Sequence, residues 1–208
     1  VSETGIAGNI AALNIPEGVL LVAVTKGVPP ERIGEAIRAG VKAVGENRVQ
    51  EAEKKGIAGI RGAEKHFIGK LQSNKVGKAV EIFDVIESVD SLRLAEKISG
   101  EAAKRGKIMR VFLEVNVSGE LKKGGVKPAE VAPLLREMRA LSSLSVEGLM
   151  CVASRENPRR DFRLLKKLFD ESRGLRFLSM GMTDDYKVAL EEGANAVRVG
   201  RGVFGERF

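Results

Sequence analysis

Lys26 and Arg198, near opposite ends of this 208-residue chain, stand where side chains can do chemistry. Leu20 to Lys26 reads LLVAVTK, an apolar run that closes on a lysine before Gly27, Val28, Pro29 and Pro30 force a loop. Side chains alternate along a strand, so Lys26 shares a face with Val24 and Val22 and not with Thr25 and Ala23. On a core-lining face the amine sits among apolar groups, which disfavour its protonated form and leave it available as a nucleophile. The competing reading is a lysine that closes a strand and snorkels to water. Arg198 lies in Val197 to Phe204 (VRVGRGVF) and alternates with Val197 and Val199. A second cation on the face of Lys26 would disfavour protonation of the amine and attract an anion. Its competing role is an ion pair with a carboxylate such as Glu46 or Glu114.

Leu178 to Thr183 (LSMGMT) reads as a strand, a loop of small residues and a helix capped by Thr183. The strand carrying Arg198 likewise ends at Gly200, with Gly202 two residues on. Paired strand ends of this kind suit a phosphate, which backbone N–H groups can hold where glycine permits close approach. Thr183, Asp184 and Asp185 also read as an ordinary helix cap, and the two acids would repel a phosphate if they faced it.

Composition narrows the chemistry. The chain is 43% hydrophobic and 30% charged, as expected of a soluble globular domain, and a single domain over 1–208 is the expectation. No apolar run approaches the ~20 residues that span a bilayer, and VSETGIAGNI lacks the order of a signal peptide, so a cytoplasmic protein is expected. Cys151 and His66 are the only residues of their types, which leaves no disulfide or cysteine cluster and disfavours histidine-based metal sites. The net charge of +7 makes an anionic ligand or nucleic acid worth weighing. Basic residues are interspersed with acids, as in Glu96, Lys97, Glu101, Lys104 and Arg105, and the chain has no Trp and one Tyr. A solvated basic surface is therefore expected, with neither nucleic acid nor membrane as partner.

The elements that must position these residues alternate. Strands are expected at Leu20 to Lys26, Lys42 to Gly45, His66 to Gly69, Ile82 to Glu87, Ile108 to Val117, Val146 to Met150, Arg176 to Ser179 and Ala196 to Val199. A short helix up to Leu13 leads the chain. Helices are expected between the strands at Glu31 to Ala39, from Asn47 to Gly56, Asn74 to Val80, Ser91 to Arg105, Pro128 to Ala140, Pro158 to Ser172 and Thr183 to Glu192. Such alternation predicts a parallel sheet, and eight strands close a (β/α)₈ TIM barrel. The C-terminal strand ends form the active face of that fold, which gathers Lys26, Asn47, Lys70, Asn116, Cys151, Ser179 and Arg198 at one mouth. His66 begins a strand, which predicts a structural histidine far from that mouth. Cys151 reads as a small buried apolar residue and Tyr186 as a packing residue.

A lysine, an arginine and a phosphate cradle in one mouth suggest pyridoxal 5'-phosphate. VAVTK, VGENRVQEA, HFIGKLQSNK, LEVNVSGELKKGG, VEGLM, LSMGMTDD and VRVGRGVFGERF run from Val22 to Phe208. In this order they resemble the successive motifs of the pyridoxal phosphate homeostasis protein family, whose fold is similar to the barrel domain of alanine racemase. The resemblance implies Lys26 as the Schiff-base lysine and Asn47 near the cofactor. It also implies Ser179, Gly181, Met182 and Thr183, with Gly200 and Arg201, around the phosphate, and Arg198 beside the ring or phosphate. Lys70 stands where the family usually has His, and the segment before Lys26 is short. The resemblance further implies a monomer that holds the cofactor reversibly in vitamin B6 and amino-acid homeostasis, with amino acids and apo-enzymes as further partners. Robust catalysis is not expected. A weak or narrow amino-acid racemase is the alternative, although that chemistry needs a second acid/base, which alanine racemase takes from a tyrosine of an additional domain.

Overall fold

The computed structural model describes residues 5–205. Eight parallel strands pair in chain order and close on themselves. They are β1 (Leu20–Val24), β2 (Ala43–Glu46), β3 (Glu64–Phe67), β4 (Val85–Val89), β5 (Met109–Glu114), β6 (Leu144–Met150), β7 (Phe177–Ser179) and β8 (Ala196–Val199). Around them lie α1 (Ile6–Ala12), α2 (Pro30–Arg38), α3 (Val49–Lys54), α4 (Val76–Ile82), α5 (Leu92–Ala103), α6 (Val131–Arg139), α7 (Pro158–Glu171), α8 (Tyr186–Glu191) and α9 (Arg201–Phe204). The expected (β/α)₈ barrel is the observed fold. Among the described residues no helix is long and apolar enough to cross a membrane.

Alternation along the strands builds two cores. Outward residues such as Ala23, Val44, Val111, Val197 and Val199 join the helices in the larger cluster. On α5 these partners are Leu94, Ala95, Ile98 and Ala102, a stripe at helical spacing, and the helix starts where the Ser91 hydroxyl accepts the Leu94 N–H. Inside the barrel, Val85, Phe112 and Met150 pack together with Phe177 against them. The interior is thus filled by side chains, as closure of eight strands requires.

Several expected boundaries move. β3 starts two residues before His66, and Ile82 and Phe83 close α4 and face the core, so β4 begins at Val85. The apolar runs there serve a helix end as well as a strand, which periodicity over so few residues does not separate. β1 ends at Val24, leaving Lys26 just beyond the strand. The helices expected from Asn47 and Thr183 begin at Val49 and Tyr186, and α9 was not expected. The first residues of the expected leading helix, and Glu206, Arg207 and Phe208 of the last motif, lie outside the described residues.

Candidate functional site

Arg198 sits inside β8, only 3% exposed, while its neighbours Val197 and Val199 face the helices. Its guanidinium donates to Ser179 Oγ (2.7 Å) and to the Cys151 carbonyl (2.7 Å). The carboxylates weighed for a competing ion pair, Glu46 and Glu114, do not hold it. Glu46 has the parity of Val44 and points outward, and Glu114 makes no bond to the guanidinium. The ion-pair partner is Glu87 of β4, 4.0 Å from Arg198 Nη1.

Glu87 links the mouth to the barrel interior. Its Oε2 accepts the Ser179 hydroxyl (2.5 Å) and its Oε1 lies 2.6 Å from His66 Nδ1. His66 Nε2 in turn lies 3.3 Å from Glu64, which Arg110 also grips. Burial alone would push the imidazole down, but carboxylates on both ring nitrogens raise His66 to about 9. Glu64 falls to about 2, chiefly through its bond to His66. Glu87 is driven upward by burial but held below its ordinary value by His66, Arg198 and Ser179. His66 is therefore structural, as expected, but it is not remote: one carboxylate separates it from Arg198 and Ser179. Glu87 was not among the expected site residues. Its signal is a carboxylate in the apolar run Val85 to Val89, two residues from Val85 and hence on the inner face.

Above Arg198 opens a cavity of about 590 Å³ lined by Val24, Met182, Thr183, Asp184, Arg198, Gly200 and Arg201. It unites the tops of β1, β7 and β8. Gly181 (φ +92°) makes the turn, and a Cβ there would come within 2.5 Å of Ala189 Cβ and 2.9 Å of Tyr186 Cα, so only glycine lets α8 approach. Thr183 is not the cap it was expected to be. α8 has Asp185 at its N-cap, and the turn before it is closed by the Tyr186 N–H on the Met182 carbonyl (2.8 Å). The two acids behave differently. Asp185 accepts the Met182 N–H (2.6 Å), occupying an amide otherwise free for an anion, while Asp184 pairs with Arg201 on the cavity wall (2.7 Å). Ser179 is fully buried below the cavity and supports Arg198, and Gly181 shapes the loop from behind.

Lys26 follows Val24 by two residues, in the turn just past β1 and half-buried; Val24 lines the cavity, whereas Lys26 is not among the residues that line it. Thr25, on the opposite face, is buried and donates to Glu46 Oε1 (2.7 Å). Asn47 lines a neighbouring groove of about 500 Å³ with Arg48, Lys70 and Lys75, and its Oδ1 is buried without a partner. A Cβ at Gly69 would strike the Asn47 carbonyl at 2.2 Å, so β3 and the β2 end meet backbone to backbone there. Glu114 ends β5, and burial pushes it up to about 7 against the opposing charges of Arg198 and Lys70, with Asp90 adding to the rise. Asn116 is spent on its own loop, accepting from Gly119 N–H and donating to the Glu120 carbonyl. Cys151 is buried, and desolvation raises its thiol to about 12, as suits a packing residue. The Tyr186 hydroxyl donates to the Leu13 carbonyl (3.1 Å), away from the mouth.

Residues 7–207 match the alanine racemase N-terminal domain family. The pyridoxal phosphate homeostasis protein of Aquifex aeolicus is 44% identical over 197 residues, covering 90% of this chain and 86% of that one. The chain belongs to the pyridoxal phosphate homeostasis protein family. Among solved structures of similar proteins, PipY of Synechococcus elongatus with PLP bound superposes on this family member with a TM-score of 0.87 at 36% identity, covering 96% of this chain and all of PipY. Alanine racemase of Clostridium difficile shares the fold, with a TM-score of 0.80 at 17% identity over 97% of this chain and 56% of the racemase.

Proposed function

We propose that this chain binds pyridoxal 5'-phosphate reversibly through Lys26 and acts in vitamin B6 and amino-acid homeostasis without robust catalysis of its own. The observation that carries the reading is the cavity above Arg198. It opens beside the strand that delivers Lys26 and is walled by a buried and an exposed arginine. An anion with a carbonyl group fits such a donor set, and similarity to PipY, solved with PLP bound, supports that choice of ligand.

When bound, the cofactor supplies an aldehyde carbon to which a primary amine adds with loss of water. The residues of this chain then have distinct tasks. Lys26 Nζ is the amine. Arg201, Thr183 and the Gly200 backbone, which line the cavity, would hold the phosphate end, with Met182 and Gly181 shaping the loop. Asn47 borders the other side of the mouth. Arg198, anchored by Ser179, Glu87 and the Cys151 carbonyl, would present its positive charge to the bound cofactor. A guanidinium set against a pyridine nitrogen opposes its protonation and weakens the electron sink that amino-acid chemistry requires. The only tyrosine is spent on Leu13, so this chain offers no tyrosine as a second acid/base in the mouth. Reversible holding therefore suits the site better than turnover. Amino acids and apo-enzymes that accept the cofactor are the fitting partners, and the chain acts as a cytoplasmic monomer.

The test is a visible absorption spectrum of the purified chain with added pyridoxal phosphate, followed by borohydride reduction and peptide mapping. A band fixed to the Lys26 peptide, and missing from Lys26→Ala, is expected. No band, or label spread over surface lysines, would return Lys26 to the role of a strand terminator.

A further inference from the structure

Lys26 lies beyond the β1 ladder. Pairing with β8 stops at Ala23 opposite Val199, and the last bond to the β2 side runs from Thr25 N–H to the Gly45 carbonyl (2.9 Å). A cluster of three charges takes over at that point. Lys55 Nζ, just past α3, donates to the Thr25 carbonyl (2.6 Å), to Glu46 Oε1 (2.8 Å) and to Glu51 Oε1 (2.6 Å). Glu51 Oε1 also accepts the Gly27 N–H (2.6 Å), and Thr25 Oγ1 donates to Glu46. Both peptide neighbours of Lys26 are therefore gripped by one set of side chains from the segment Glu46 to Lys55.

The arrangement is costly. Glu46 is 1% exposed and its Oε2 has no partner, although a strand end can be closed by backbone bonds alone. Burial raises the Glu46 carboxyl above its ordinary value even with Lys55 and Thr25 drawing it down. Glu51 feels Lys26 directly: burial raises it, but the Gly27 amide, Lys55 and the Lys26 charge together bring it below the usual carboxylate range. A half-satisfied buried cluster at the edge of a binding mouth is the kind of expense that a fixed geometry explains.

We propose that Lys55, with Glu46 and Glu51, is the positioning device for Lys26, fixing the backbone on either side so that the amine meets its carbonyl ligand in one orientation. The proposal rests on the reading of Lys26 as the attachment point. Other elements could hold the strand end; none of the three Lys55 contacts can be made by an apolar residue at position 55.

The unaltered chain is compared with Lys55→Met and with the double variant Lys55→Met/Glu46→Gln, which removes the buried position-46 carboxylate together with its cation. Lys78→Met, in an exposed ion pair with Glu53 and Glu81, is the control. Amide exchange of the peptide spanning residues 25–28 needs no cofactor, and about tenfold faster exchange is expected in both Lys55 variants with the barrel strands otherwise protected. Borohydride-trapped attachment of pyridoxal phosphate at Lys26 is expected to slow roughly 10- to 100-fold, the range for a misaligned reacting group. Labelling of the same amine by trinitrobenzenesulfonate, which demands no alignment, should persist. Unchanged exchange at 25–28, attachment at the original rate, or protection lost throughout the barrel would each overturn the proposal, the last by assigning the cluster a purely structural role. If the unaltered chain forms no attachment at Lys26, the binding reading itself fails and takes the proposal with it.

Discussion

The buried His66–Glu87 pair makes stability fall in mild alkali, and the size of the fall follows from the geometry. His66 is fully buried between Glu87 and Glu64, and its folded value of about 9 lies above the 6.5 of a free imidazole. At about 1.4 kcal/mol per pH unit, the difference is worth on the order of 3 kcal/mol. Because the folded value is the higher one, this stabilisation is complete below pH 6.5 and is lost as pH rises through about 9. The perturbation is a pH series from about 6 to 10 in urea unfolding, run on the unaltered chain and on His66→Gln/Glu87→Gln, which removes the pair without stranding a buried carboxylate. The stability difference between the two chains should shrink by about 3 kcal/mol across that window. Since His66 is the only histidine, its ring protons give one unambiguous NMR titration, with a midpoint expected near 9. A midpoint at or below 6.5, or a flat difference curve, would refute the reasoning.

Three further outcomes are expected. Gly181→Ala forces a Cβ against Ala189 and Tyr186 at a positive φ, and should cost about 3 kcal/mol, seen as a Tm lowered by roughly 6–12 °C. Asp184→Asn frees Arg201 and removes a negative charge from the cavity wall, so inorganic phosphate should bind several-fold more tightly in calorimetric titration, with the gain fading by about 1 M salt. Glu114 is neutral below about 7 and charged above it, because burial raises it. Sulfate, which does not titrate in this range, should therefore bind more weakly at about pH 8 than at about pH 6, and Glu114→Gln should abolish that dependence.

How much of this was legible beforehand differs by element. Short-range pattern sufficed for the barrel: eight apolar segments separated by helical stretches admit few other topologies. Parity along the chain likewise placed Val22, Val24 and Arg198 on the inner face. Boundaries were less legible where one apolar run serves two elements, as at Ile82 and Phe83. The helix start expected at Thr183 falls at Tyr186, after a turn in which Asp185 reaches back to the Met182 amide, a contact that spacing does not specify.

By itself the sequence determined which residues could stand at the mouth, because alternation and strand ends are local properties of the chain. Only the tertiary structure decided what holds them. Ser179 and Glu87 are 92 residues apart, and Arg198 and the Cys151 carbonyl are 47 apart, so their hydrogen bonds exist only once the barrel closes. The same holds for Lys55 and the Thr25 carbonyl, joined across 30 residues beside Lys26. Strand pairing and barrel closure choose these partners by bringing distant inner faces and loop ends within about 3 Å, a distance that no one-dimensional spacing encodes.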